Sequence, residues 1–175
     1  DALPISVERS DFISLAELTD EVCCDLASIA DQKKVELIQE EGDCTVTGSY
    51  LLLYRAVYNL VENAIKYNHS GGKVTVKISQ KKDLPAAHSK PADCALVEVT
   101  DTGIGISPEY QEKIFAPFFR VDKSRSRAMG GAGLGLALVA EIARQHGGQV
   151  KVLTSSEQGS TIALMLPINS PLIAI

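Results

Sequence analysis

Asp101 follows a run in which Ala95, Val97 and Val99 alternate with other residues, and it opens the segment Asp101-Thr102-Gly103-Ile104-Gly105-Ile106. Alternation with period two puts the three apolar side chains and Asp101 on one face of a strand. The carboxylate therefore follows an apolar face inward, where it needs a partner. Two uses fit it. It can close its own Asp-x-Gly turn, or, as a group that only accepts, it can take the exocyclic amine of adenine and repel the carbonyl that guanine carries there. Gly103 and Gly105 would let backbone approach a flat ring with no Cβ in the way.

A second polar set lies in the segment from about 50 to 68, read as a helix with Ser49 as its N-cap. At about 100° per residue, Leu53, Val57, Leu60, Val61 and Ala64 share one face, and Arg55, Asn59, Glu62, Asn63 and Lys66 share the other. Asn59, Asn63 and Lys66 stack in a line. An amide oxygen is a hard ligand suited to magnesium, and an ammonium suits a phosphate. The plainer alternative is a solvated face, although two Asn residues weaken a helix interior and so call for a reason. A third set, Gly130-Gly131-Ala132-Gly133-Leu134-Gly135, directly precedes a helix, so its backbone N–H groups form an anion site. It is not G-x-G-x-x-G, because the third glycine falls on Leu136, and no G-x-x-x-x-G-K-[ST] occurs, which sets aside the Rossmann and P-loop readings.

The elements that must position these groups can be read along the chain. Residues 10–14 predict a short strand, 15–31 a helix, 35–40 and 44–47 extended segments, 73–79 and 94–100 a strand pair around a solvated loop over 81–93, and 134–145 a helix. His146-Gly147-Gly148 caps that helix, and two strands, 149–155 and 160–166, flank the turn Ser156-Glu157-Gln158-Gly159. At 175 residues, with 45% hydrophobic and 22% charged side chains, the chain is long enough for one buried core. Its net charge of -5 offers nucleic acid no general attraction. No apolar run approaches the roughly 18 residues of a membrane helix. Cys23, Cys24, Cys44 and Cys94 form no C-x-x-C pair and read as reduced packing thiols.

Four segments together resemble a known family. Asn59-Leu60-Val61-Glu62-Asn63-Ala64-Ile65-Lys66-Tyr67-Asn68, Asp101 to Ile106, Ile114-Phe115-Ala116-Pro117-Phe118-Phe119-Arg120-Val121-Asp122 and Gly131-Ala132-Gly133-Leu134-Gly135-Leu136-Ala137-Leu138 look like the N box, first glycine box, F box and second glycine box of histidine kinase catalytic domains, in that order. The resemblance covers about residues 10–167 of a single domain, 1–175. It implies the α/β two-layer sandwich of Bergerat type shared with gyrase B, Hsp90 and MutL: a mixed, mainly antiparallel sheet, helices on one face and an ATP lid. It further implies magnesium-ATP as ligand, with Asn63 on the metal, Lys66 and Tyr67 beside the nucleotide, and Asp101 on the adenine amine. Gly103, Gly105 and Ile106 would then line the base, Gly131, Gly133, Leu134, Gly135 and Leu136 the phosphates, and Arg120 would reach the γ-phosphate. Thr161 resembles the hydroxyl residue that supports the carboxylate through water. Lys123, Arg125 and Arg127 fall in the implied lid, as phosphate contacts or as solvated loop charges. Ala132 stands where the family often has threonine.

Hydrolytic relatives carry a glutamate general base where this chain has Asn59, and an amide cannot take that proton. The resemblance therefore implies transfer to a histidine imidazole, with Glu62, one turn away, as a base for that ring. His69, His88 and His146 lack the Glu/Asp-x-x-Thr/Asn-Pro pattern that marks the family's acceptor helix. The expected partners are an absent phosphoacceptor dimerisation domain and a response regulator receiver, with no nucleic acid and no direct membrane contact. The expected location is the cytoplasm, beneath a membrane-anchored parent. A same-fold ATPase or serine kinase and a non-catalytic nucleotide sensor remain the alternatives.

Overall fold

A computed structural model of the chain describes residues 11–84, 92–119 and 135–168. Ser14 and Ser49 stand in extended backbone, and each Oγ accepts an N–H three residues on, from Glu17 and Leu52, both at 3.3 Å. Each bond satisfies a donor that a first helical turn leaves unpaired, and so starts α1 (Leu15–Lys33) and α2 (Tyr50–Lys66). Lys34 ends α1 in the left-handed region at φ 59, its N–H returning to Ala30 and Asp31. The third helix, α3, runs over Gly135–Gln145.

β1 (Asp11–Ser14) and β3 (Thr45–Gly48) form an antiparallel ribbon. β2 (Glu36–Gln39), β4 (Lys73–Leu84), β5 (Ala92–Asp101), β6 (Gln149–Ser156) and β7 (Gly159–Pro167) form a sheet of order β2-β4-β5-β7-β6. The β2–β4 pair is parallel and the other pairs are antiparallel. The helices cover one face. Leu53, Val57, Leu60, Val61 and Ala64 of α2 are buried as the periodicity predicts, in one cluster with Leu18 and Leu26 of α1, Ile142 of α3, Val74, Val76 and Ile78 of β4, Val97 and Val99 of β5 and Leu164 of β7. Each fully buried leucine there contributes about 1.5–3 kcal/mol of transfer free energy. The opposite face carries a smaller cluster of Cys94, Leu96, Ala163 and Met165.

The segment 81–93, expected to be loop throughout, is strand at both ends, since β4 reaches Leu84 and β5 begins at Ala92. Lys81 and Lys82 are exposed, so their charges stay in water while the backbone still pairs, with an irregularity between Lys81 and Leu84. Charge hid the strand from a hydropathy reading. The segment after Ile106 holds two 3-10 turns, Pro108–Tyr110 and Lys113–Phe115. Among the described residues no helix is long and apolar enough to cross a membrane, and the four cysteines form no disulfide.

Candidate functional site

β5 carries Asp101 to the edge of the helix-covered face, with Val74 of β4 and Ser160 of β7 as its register partners. The Gly103 N–H donates to Asp101 Oδ1 at 2.9 Å, and Ser160 Oγ donates to Oδ2 at 3.1 Å. The Asp-x-Gly turn is thus made. It does not exhaust the carboxylate, whose two oxygens offer about four lone-pair sites. Burial pushes the Asp101 carboxyl above its ordinary value, against the pull of the Gly103 and Ser160 bonds.

The Thr161 expectation is corrected. Thr161 pairs with Thr100, and the two Oγ1 atoms lie 2.9 Å apart. Neighbours on a strand face opposite ways, so if Ser160 points at Asp101, Thr161 points away from it. The hydroxyl that supports the carboxylate belongs to Ser160, and it does so directly.

The fold supplies a reason of its own for the glycines. A Cβ on Gly103 would sit 2.5 Å from the Tyr67 carbonyl oxygen and 3.0 Å from Asp101 Oδ1. At Gly105, with φ +74, it would collide with the Ser156 carbonyl, and at Gly159, with φ +132, with the Asp101 carbonyl. What excludes a side chain is the protein's own backbone at the end of α2 and the β6–β7 turn. Ile106 is held at the same turn, its N–H donating to Ser155 Oγ at 2.7 Å.

The polar face of α2 presents Asn59, Glu62, Asn63 and Lys66, all half-buried. Lys66 Nζ lies 3.4 Å from Glu62 Oε1, and the Lys33 ammonium donates to the Lys66 carbonyl. The start of α3 faces this row: a Cβ on Gly135 would be 3.7 Å from Asn59 Oδ1 and 3.9 Å from Asn63 Nδ2. Leu136 packs against the core. Tyr67 caps α2 through its N–H, 3.1 Å from the Asn63 carbonyl oxygen, and its own carbonyl meets Gly103. The donor set suits magnesium: amide oxygens are hard, and this ion keeps most of its waters and takes one or two protein ligands beside phosphates.

The profile of the histidine kinase-, DNA gyrase B- and HSP90-like ATPases matches residues 48–170. The chain belongs to that family. It is 41% identical over 139 residues to the sensor-like histidine kinase SenX3 of Mycobacterium tuberculosis, covering 79% of this chain and 32% of SenX3. The mycobacterial sensor histidine kinase MprB superposes with a TM-score of 0.71 at 29% identity, covering 90% of this chain and 97% of MprB. Full-length ShkA, solved in complex with AMPPNP, shares the fold with a TM-score of 0.79 at 23% identity, over 99% of this chain and 34% of ShkA. The chain spans about a third of SenX3. It is a histidine kinase-type ATPase domain, with the mixed sheet and one-sided helices of the Bergerat fold.

In this histidine kinase domain the described residues join the N box to the first glycine box and to Gly135 of the second. Arg120, Gly131, Gly133, Leu134, Lys123, Arg125 and Arg127 lie outside the described residues. Of the histidines, His69 is exposed and His146 is buried; His88 lies outside the described residues. His146 Nδ1–H donates to the Ile142 carbonyl at 2.8 Å, while Nε2 accepts the Ser49 N–H at 3.1 Å. Sequence reading passed over Ser160, Gly159, Asn68 and Thr102. Counting strand parity back across the Gly159 turn would have found Ser160; Asn68 and Thr102 carry no periodic signal.

Proposed function

We propose that this chain is the ATP-binding catalytic domain of a sensor histidine kinase, holding magnesium-ATP and passing its γ-phosphoryl group to a histidine on a separate dimerisation helix. The observation that carries this reading is the seating of Gly103 on the Tyr67 carbonyl. It puts the base-binding carboxylate and the Asn59, Asn63 and Lys66 row on one frame.

Asp101 accepts from the adenine amine, and its rejection of a carbonyl excludes guanine. Asn63 would hold the metal, which would supply charge neutralisation to the phosphates. Lys66 contacts phosphate, and Arg120 offsets the charge that builds on the γ-phosphoryl during transfer. The imidazole nitrogen of the acceptor attacks phosphorus, the bond to the bridging oxygen breaks, and ADP leaves. The ring proton passes to Glu62, one turn from Asn59. Because Asn59 is an amide, water is not activated there, which favours transfer over hydrolysis.

Several further features belong to the reading. The acceptor is supplied from outside residues 1–175, which act as one catalytic unit. His146 supports this, since both its ring nitrogens are engaged. A response regulator receiver takes the phosphoryl group next. The domain works on the cytoplasmic side of a membrane-anchored parent without itself touching lipid or nucleic acid.

Calorimetry with ATP and GTP, with and without magnesium, tests the ligand. The expected result is ATP binding strengthened by magnesium and no GTP binding. Labelled ATP with a supplied dimerisation domain tests the reaction: the phosphate should appear on that domain, acid-labile and alkali-stable. An acid-stable phosphate would point to a serine kinase of the same fold.

A further inference from the structure

We infer that Asn68 and Thr102 are a positioning pair that fixes the base-binding loop to the end of the phosphate-binding helix without touching the nucleotide. The inference rests on the nucleotide reading above and adds to it a device that couples the two halves of the ligand.

Asn68 follows Tyr67 at the end of α2 and is 7% exposed. A buried amide must find partners. Its Nδ2 donates to the Lys73 carbonyl at 2.9 Å, and its Oδ1 accepts the His69 N–H at 2.9 Å. Oδ1 also accepts from Thr102 Oγ1 at 3.2 Å, and Thr102 Oγ1 in turn accepts the Lys73 N–H at 2.8 Å. The Thr102 N–H adds a bond to the Lys73 carbonyl at 3.2 Å. Any Cβ on Gly72 would collide with Asn68 Oδ1 and stand 2.9 Å from Thr102 Oγ1, so glycine keeps the cluster closed.

Three segments therefore meet at two side chains: the end of α2, the start of β4 and the loop after Asp101. Thr102 is the residue next to Asp101, and Asn68 lies five residues from Asn63. Gly103 touches Tyr67 from the other side. The clamp thus sets the angle between the carboxylate that takes the base and the helix face that takes phosphate. A misplacement of about 1 Å is enough to cost binding of a ligand that must satisfy both ends.

The test measures binding of magnesium-ATP and of adenosine to the whole chain and to Thr102→Val, Asn68→Ala and Thr102→Ser, with the melting temperature of each. Thr102→Val keeps the side-chain shape and carries the test even where Asn68→Ala fails to fold. The expected result for Thr102→Val is about a tenfold loss of ATP affinity, as for a polar partner left unpaired. Adenosine, which uses the base end alone, should change by less than about twofold, and Thr102→Ser should restore ATP binding. Parallel losses for ATP and adenosine, no change in either, a serine variant no better than valine, or a Thr102→Val chain that does not fold would each overturn the pair. A parent chain that binds no ATP overturns the nucleotide reading and the pair together. Parent binding with parallel losses in the variants overturns the pair alone.

Discussion

At the proposed base end of the site Asp101 is held by a backbone N–H and by Ser160, and glycines at 103, 105 and 159 stand where a Cβ would meet protein backbone. At the proposed phosphate end Asn59, Glu62, Asn63 and Lys66 project from one helix face, half-buried, with Lys66 leaning on Glu62. Close-packed backbone and bonds within the fold fix the first arrangement, and side-chain rotamers the second. The ordering cost at the base end is therefore met when the chain folds, whereas at the phosphate end it falls due when ligand arrives. Specificity for the base belongs with rigid geometry, and a charged group that must be transferred belongs with side chains free to follow it.

The largest effect should come from forcing a side chain into the rigid end. Gly105→Ala adds a methyl against the Ser156 carbonyl at φ +74; strain and overpacking together predict about 3 kcal/mol of lost stability. Calorimetry should show the melting temperature falling by about 6–12 °C, and a change under about 2 °C, equivalent to less than about 1 kcal/mol on that scale, would mean the base end is not rigid. Next comes Asp101→Asn. Losing a hydrogen bond to a charged group should weaken ATP binding by about 1.5–3 kcal/mol and narrow the preference for ATP over GTP, with the fold intact by circular dichroism. Unchanged affinity would sink the assignment of Asp101 to the base.

How much of this was legible depended on whether a residue announces itself by period. The α2 core face and the row Ala95, Val97, Val99, Asp101 recur at 3.6 and 2 residues; the apolar members of both are buried, and Asp101 at the end of its row is half-buried. The four motifs showed the family because they are contiguous. Ser160 was missed although parity fixes it, because the resemblance drew the reading to Thr161. Asn68 and Thr102 lie 34 residues apart and meet through a turn and a strand register, which no local pattern encodes. The strand segments 81–84 and 92–93 were hidden by charge and by small residues, since pairing there rests on backbone rather than side chains.

A smaller effect should mark the phosphate end. Asn63→Ala removes an amide oxygen from the row that Gly135 faces, so ATP affinity in magnesium should fall about tenfold, or about 1.4 kcal/mol. Affinity in excess chelator should barely move, and so should that for adenosine. If adenosine weakens as much as ATP, the division of the site into a base end and a phosphate end is wrong.

The smallest effect concerns pH. His146, at the far end of α3, is a neutral ring donating from Nδ1 and accepting the Ser49 N–H at Nε2. Burial lowers its tendency to take a proton, against the pull of the Ile142 carbonyl. The unfolded chain, with an ordinary value near 6.5, therefore protonates first as pH falls. Stability from this residue is therefore full above about pH 6.5 and declines as pH falls below it. Protonation would set Nε2–H against the Ser49 N–H and loosen α3, whose first residue faces Asn59 and Asn63. Asp43 and Glu141, held below their ordinary values, lose their contributions at lower pH. Asp101, pushed up by burial, gains stability as pH falls, so it opposes the His146 slope. Melting curves from pH 7 to 5.5 should thus show an acid slope that His146→Gln flattens. Over the same interval ATP affinity should decline while adenosine affinity holds. A slope that survives in His146→Gln would place the titrating group elsewhere.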